Sequence, residues 1–199
     1  MGTDARKKLI TERFQAEFGQ SPTVWVQAPG RVDLMGSHTD YNEGLVMTLP
    51  INREMWILAR PRDDGEVRMA SLNMASAISF NALAPEDGKL DDWGVYVQGV
   101  AVELHKAGYP LQGCDAVVHG TVPLSSGLSS SAALEAAVAT LFEQLGGFTL
   151  DPVDKAKLTQ KAENNWVGVN CGILDQYSSI LGEQHQTLVL DCRSLTHHY

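Results

Sequence analysis

The chain has 199 residues, of which 44% are hydrophobic, enough for one buried core. Its formal net charge of −9 argues against nucleic-acid binding, because contact with a phosphate backbone needs a basic face and no run of Lys or Arg is present. No apolar stretch is long enough to span a bilayer, and the three cysteines, with no CxxC spacing and no leader segment, favour reduced thiols and a cytoplasmic location.

Apolar periodicity and turn residues divide the chain into alternating strands and helices. In chain order, the pattern predicts a helix over residues 4–19; strands over 23–27, 45–51, 54–60, 66–71 and 77–80; a helix over 93–105; a strand over 116–122; helices over 133–145, 151–166 and 173–181; and a strand over 187–191. We expect the strands over 45–51 and 54–60 to pair with each other, those over 66–71 and 77–80 to lie at edges, and residues 28–30 to end the first strand.

The segment after the first strand is unusually polar for a turn. It contains Arg31, Asp33, Ser37, His38, Thr39 and Asp40. Each of these residues alone would ordinarily be a loop cap or a hydrogen-bonded core group. Together, a guanidinium, an imidazole and carboxylates provide the donors and acceptors that a polyhydroxy ligand such as a sugar requires.

A glycine- and serine-rich loop, residues 123–132, joins the strand over 116–122 to the apolar helix that follows. The free N–H groups of a helix N-terminus and the loop hydroxyls would converge on one spot that suits a phosphate. The alternative is that the serines only cap the helix. No Gly-Lys-[Ser/Thr] follows, so this is not the common P-loop, and charge balance would have to come from the helix terminus and a bound cation.

This loop resembles the phosphate-binding motif of the GHMP small-molecule kinases, and the chain as a whole resembles the galactokinases. The resemblance rests on separated motifs in the family's order: residues 28–42, 123–132, 170–176 and 191–195. It implies an α+β fold, the ribosomal protein S5 domain 2-like N-terminal lobe of the family, with a mixed or antiparallel sheet covered by helices on one side. Residues 1–199 would form this one domain, without the family's C-terminal lobe.

The resemblance also implies roles for particular residues in ATP-dependent phosphorylation of the anomeric hydroxyl of galactose. Arg31 and Asp175 would be the catalytic pair. Sugar contacts would come from Ser37, His38, Thr39, Asp40 and Gly172. The ATP phosphates would lie against Ser125, Ser126, Gly127, Leu128, Ser129, Ser130 and Ser131, with Trp93 near the adenine. Ser131 and Glu163 would hold Mg²⁺.

These roles agree with the chemistry of phosphoryl transfer, which depends on positioning and charge stabilisation more than on a strong base. Asp175 would accept the hydrogen bond of the sugar hydroxyl and take its proton late, and Arg31 would orient that carboxylate and spread the developing charge. Two alternatives stay open. One is a kinase for a related sugar (arabinose, galacturonate or N-acetylgalactosamine), and the other is a sugar or nucleotide sensor without turnover.

The chain departs from the galactokinase pattern at two positions, where Asp33 replaces the usual Asn and Ser37 replaces the usual Glu. The resemblance implies that this Glu accepts a hydrogen bond from the 6-hydroxyl of the sugar and repels negative charge. Ser37 therefore predicts relaxed selectivity at carbon 6, with galacturonate penalised less. We also expect the 199-residue chain alone to be nearly inactive and to self-associate through the surface that the C-terminal lobe would cover.

Overall fold

A computed structural model describes residues 2–124 and 126–199, and these residues form a seven-stranded mixed sheet with helices on both faces. The strands are β1 (Val24–Met35), β2 (Leu45–Arg62), β3 (Glu66–Ser71), β4 (Ile78–Asn81), β5 (Gly113–Gly120), β6 (Leu188–Asp191) and β7 (Thr196–His198). The order across the sheet is β4-β3-β5-β2-β6-β7, with β1 also paired to β2. All pairs are antiparallel except β3 with β5, so the sheet is mixed, one of the two arrangements that the resemblance implied. The same parallel pairing places β3 inside the sheet, not at the predicted edge.

Strand β2 is one continuous 18-residue element, so the prediction of two strands paired with each other is wrong. Its first part pairs with β6 and its second part with β5, while β1 runs antiparallel along most of its length. Between Thr48 and Met55, β2 pairs with β1 but with neither β5 nor β6. Pro50 is tolerated in this edge-like stretch, because a proline without an N–H removes a ladder bond only where a partner needs it.

Strand β1 continues through Pro29, where the sequence predicted that it would end. Its pairing with β2 shifts register between Pro29 and Arg31 and again between Asp33 and Met35. These irregularities accommodate Pro29 within the strand and bend the strand. The strand therefore carries Arg31 and Asp33 into the region where the candidate site lies.

The helices are α1 (Thr3–Phe18), α2 (Gly94–Lys106), α3 (Ser130–Gly146), α4 (Pro152–Lys161) and α5 (Leu174–Leu181). Helices α2 and α3 cover one face of the sheet, including Ile57, and α1 covers the other, including Trp56. The prediction of helices on one side only is therefore wrong. Successive strand residues face opposite sides, so helices on one face alone would leave every second side chain of the central strands exposed. Within the described part of the chain, no helix has the length and apolar character needed to cross a membrane.

Candidate active site

A cleft of about 400 Å³ opens where the end of β1, the serine-rich loop and the start of α5 meet. Seven of the residues selected from the sequence line it: Arg31, Ser37, His38, Asp40, Gly127, Gly172 and Asp175. Asp33, Tyr41, Asn170, Cys171 and Leu174 complete the lining. Motifs far apart in sequence thus share one cavity, whose polar groups offer both donors and acceptors.

Arg31 and Asp175, both in the lining of this cleft, form an ion pair. The guanidinium of Arg31 donates from Nε to Asp175 Oδ1 at 2.9 Å and from Nη1 to the carbonyl oxygen of Gly127 at 2.6 Å. The hydroxyl of Ser129 donates to the other oxygen, Asp175 Oδ2. Both carboxylate oxygens are therefore held, and the pair joins the serine-rich loop to the cleft.

Helix α3 begins with its first N–H groups uncapped by a side chain. Ser129 at the cap position is in the left-handed conformation, with φ of 58°, and its hydroxyl bonds Asp175 instead of the helix. The interpretation that the serines serve only as caps does not explain this arrangement. Ser126 bonds the carbonyl of Pro123, whereas Ser125 lies outside the described residues. A helix N-terminus left open beside hydroxyl groups favours an anion.

Asp40 links the polar turn after β1 to the start of α5. Its Oδ2 accepts a hydrogen bond from the backbone N–H of Leu174 at 3.2 Å, and its carboxylate lies directly over the α-carbon of Gly172. A side chain at position 172 would overlap that carboxylate. His38 is exposed in the lining of the cleft, and its ring makes an edge contact with Tyr41 at 6.0 Å between centroids.

Two other residues selected for ligand contact are engaged elsewhere. The Thr39 hydroxyl donates to the carbonyl oxygens of Gly36 and Leu45, which fixes the turn. The indole of Trp93 is only 8% exposed, and its Nε1 donates to the carbonyl oxygen of Ser76 at 3.2 Å. Trp93 therefore packs mainly in the core beside the start of α2, and its contact with the adenine stays a prediction.

Glu163 belongs to a buried polar cluster behind the serine-rich loop, in a π-helical turn that continues α4 over Ala162–Val167. Gln176 Nε2 donates to Glu163 Oε2 at 2.6 Å and to Glu135 Oε2 at 3.1 Å. Burial raises the pKa of Glu163, while the Cys171 thiol and the Ser131 hydroxyl lie close enough to favour its charged form. Burial also raises the pKa of Glu135 well above its usual range, and the nearby charge of Glu163 adds to this effect.

Glu135 and Gln176, both fully buried, were not predicted from the sequence as site residues. Each has one oxygen, Oε1, that is buried without a hydrogen-bond partner among residues 2–124 and 126–199. The available signal was a carboxylate and an amide at core-facing positions of two apolar helices, since buried polar groups are nearly always satisfied or functional. Nowhere in these ranges do three or more His, Cys, Asp or Glu side chains group closely enough to hold a metal by themselves.

Glu135 is expected to make stability depend on pH. Its raised pKa means that, above pH 4.5, the folded state keeps a proton that the unfolded state has released, so stability falls as pH rises. Between about pH 5 and pH 8, the melting temperature of the Glu135→Gln variant should therefore fall less than that of the parent, measured without added metal. Glu12→Gln, on the exposed face of α1, is the control. Equal slopes for parent and Glu135→Gln would contradict this assignment.

Comparison with known families matches two models to the chain. The model described as the GHMP kinases N terminal domain covers residues 95–183, and the galactokinase galactose-binding signature covers residues 12–61. The first range contains the serine-rich loop, Glu163 and Asp175. The second contains Arg31 and the polar turn. The two matched segments therefore contribute the two sides of the cleft.

The chain is also similar to known proteins along nearly its whole length. It is 43% identical to the galactokinase of Roseiflexus sp. (strain RS-1) and 42% identical to that of Chloroflexus aggregans, in each case over 94% of this chain and 48% of the relative. The crystal structure of Lactococcus lactis galactokinase complexed with galactose matches with a TM-score of 0.90 and 36% identity, over 98% of this chain and 51% of that one. Mevalonate kinase from Methanococcus jannaschii shares the fold, with a TM-score of 0.73 at 16% identity over 88% of this chain and 55% of that one. The chain thus spans about half the length of the curated relatives it matches.

Proposed function

The chain belongs to the GHMP kinase family, carrying its N-terminal domain and the galactokinase galactose-binding signature, and we propose that the protein transfers the γ-phosphoryl group of ATP to the anomeric hydroxyl of galactose. The products would be galactose 1-phosphate and ADP. The sugar would occupy the cleft lined by Ser37, His38, Asp40 and Gly172. The serine-rich loop and the open N-terminus of α3 would receive the phosphates.

The observation that carries this proposal is the position of the Arg31–Asp175 pair, between the serine-rich loop and the cleft. A carboxylate there can accept the hydrogen bond of a sugar hydroxyl and take its proton as the oxygen is phosphorylated. Arg31 keeps the carboxylate oriented and, through its delocalised charge, stabilises the negative charge that develops on the phosphoryl group. The loose transition state makes this positioning the main contribution of the protein.

Ser131 and Glu163 would hold Mg²⁺ together with phosphate and water oxygens. A hydroxyl and a carboxylate beside a phosphate-binding loop suit this ion, which prefers oxygen ligands and usually takes only one or two carboxylates from the protein. The ion would neutralise charge on the phosphates, a task that a P-loop lysine performs in other kinases. Gln176 would orient the Glu163 carboxylate through its hydrogen bond.

The test is galactose-dependent formation of ADP by the complete gene product, with the sugar phosphate identified as the 1-phosphate. Arabinose, galacturonate and N-acetylgalactosamine are measured in parallel, because a clear preference for one of these would change the substrate. Binding of galactose and ATP without any ADP formation would contradict the kinase proposal and favour a sensor.

We further expect the 199-residue chain alone to have little or no kinase activity and to self-associate. Four large apolar side chains in and beside the polar turn are exposed by half or more: Leu34, Met35, Tyr41 and Leu45. Since the chain spans about half the length of its relatives, we propose that a second lobe covers this surface and closes the cleft against water. Sedimentation and a coupled ADP assay test both parts. A monodisperse monomer that transfers phosphate at rates typical of sugar kinases would contradict them.

A further inference from the structure

The two positions at which the chain departs from the galactokinase pattern are in contact with each other. The hydroxyl of Ser37 donates a hydrogen bond to Asp33 Oδ2, and both residues line the cleft. The turn between them makes this possible. Gly36 has φ of 95°, and a β-carbon there would lie 2.6 Å from the carbonyl oxygen of Leu45. Only glycine fits this left-handed and crowded position, which returns the chain so that residue 37 faces residue 33.

The hydrogen bond determines what the Ser37 hydroxyl can offer to a ligand. A serine hydroxyl has one proton and two lone pairs, and here the proton is committed to a carboxylate. The exposed oxygen of Ser37 therefore faces the cleft only as an acceptor, and the charge of Asp33 behind it strengthens that character.

Within the described ranges, the carboxylate of Asp33 is hydrogen-bonded at only one of its two oxygens. Its second oxygen, Oδ1, is buried and accepts no hydrogen bond from any described residue. A buried acceptor without a partner is costly, so the negative charge of this carboxylate is only partly compensated by its hydrogen bond from Ser37. The Asp33 and Ser37 side chains thus form a negatively charged acceptor unit beside Arg31 and Asp175.

We propose that Asp33 and Ser37 together determine sugar specificity, by accepting a hydrogen bond from a neutral sugar hydroxyl and by repelling anionic sugars such as galacturonate. This inference rests on the proposed sugar kinase function. It replaces the expectation, drawn from Ser37 alone, that the site has lost its negative charge. The negative charge is retained at Asp33, four residues before Ser37. The hydrogen bond between the two residues extends the effect of that charge to the Ser37 oxygen in the cleft.

The experiment is titration of galactose and galacturonate into the complete gene product and its variants, followed by turnover with the same sugars. Asp33→Asn removes the charge and should weaken galactose binding about tenfold while improving galacturonate relative to galactose by about tenfold. Ser37→Ala removes the acceptor but keeps the charge, so galactose binding should fall without any gain for galacturonate. Asp33→Asn with Ser37→Glu moves the carboxylate to position 37 and should restore both galactose binding and the rejection of galacturonate. Asp63→Asn, in the exposed turn before Gly65, makes the same charge change away from the cleft and should alter neither sugar.

The outcomes separate this inference from the kinase proposal. If Asp33→Asn leaves the ratio of the two affinities within about twofold of the parent, the inference is overturned, whether or not galactose is phosphorylated. If the ratio changes as expected but the parent forms no ADP, the specificity unit stands and the kinase proposal fails. Melting temperatures of all variants show whether a loss of binding reflects misfolding. The double variant, Asp33→Asn with Ser37→Glu, is a second check on misfolding, because any misfolding caused by Asn at position 33 would persist in it and prevent the restoration of binding.

Discussion

Replacing Asp175 with asparagine is expected to lower kcat by about 10²–10⁴-fold, the range that positioned acid and base groups typically contribute. The amide keeps the shape of the carboxylate. Its oxygen can still accept from Arg31, and its nitrogen can donate to the Ser129 oxygen, so the local structure should persist. What is lost is the ability to take a proton and the negative charge opposite Arg31. Galactose and ATP affinities should therefore stay within a few fold of the parent.

The measurement is steady-state kinetics with equilibrium binding of both substrates, on the complete gene product. Asp154→Asn is the matched control, since Asp154 lies on the exposed surface of α4 and pairs only with Lys157 among the described residues. A kcat within about tenfold of the parent would remove Asp175 from the chemistry. A parallel loss of sugar binding and melting temperature would instead assign it a structural role.

The helices were predictable from sequence because their apolar residues recur at helical spacing. Ile10 and Phe14 lie on one face of α1, and the apolar run after Ser131 forms α3 as expected. The continuity of β2 was not predictable, since Pro50 normally ends or flanks a strand. It is accepted here only because neither β5 nor β6 pairs with β2 at that point. Strand pairing is a long-range property that local propensity does not contain.

The candidate site, like the fold, was predictable from the sequence only in part. The residue types of Arg31, Ser129 and Asp175 could be selected from motifs, but their mutual contacts join positions up to 144 residues apart and depend on the bend in β1. The contact between Asp33 and Ser37 could not be predicted from the sequence either. It depends on the left-handed turn at Gly36, a feature of backbone geometry. The π-helical turn that carries Glu163 likewise has no signature in the apolar periodicity.

Replacing Gly172 with alanine is expected to weaken galactose binding by about 100-fold or more, because the cost combines overpacking with polar groups left unpaired. The added β-carbon would occupy the place of the Asp40 carboxylate. Asp40 must then move away, which breaks its hydrogen bond to the Leu174 N–H and shifts a side chain that lines the cleft. The backbone of Gly172 is not in the left-handed region, so alanine adds bulk without backbone strain. Nucleotide binding, which would use the serine-rich loop, should change little.

A double-mutant cycle decides whether the effect of Gly172→Ala passes through Asp40. If it does, Gly172→Ala combined with Asp40→Ala should bind galactose no more weakly than Asp40→Ala alone, since the residue that the methyl group displaces is already gone. Galactose affinity is measured by titration for the parent, both single variants and the double variant of the complete gene product, with melting temperatures recorded for all four. Additive losses in the cycle would show that Gly172 and Asp40 act independently. The methyl group would then interfere with the sugar directly, and Asp40 would not be the group that Gly172 accommodates.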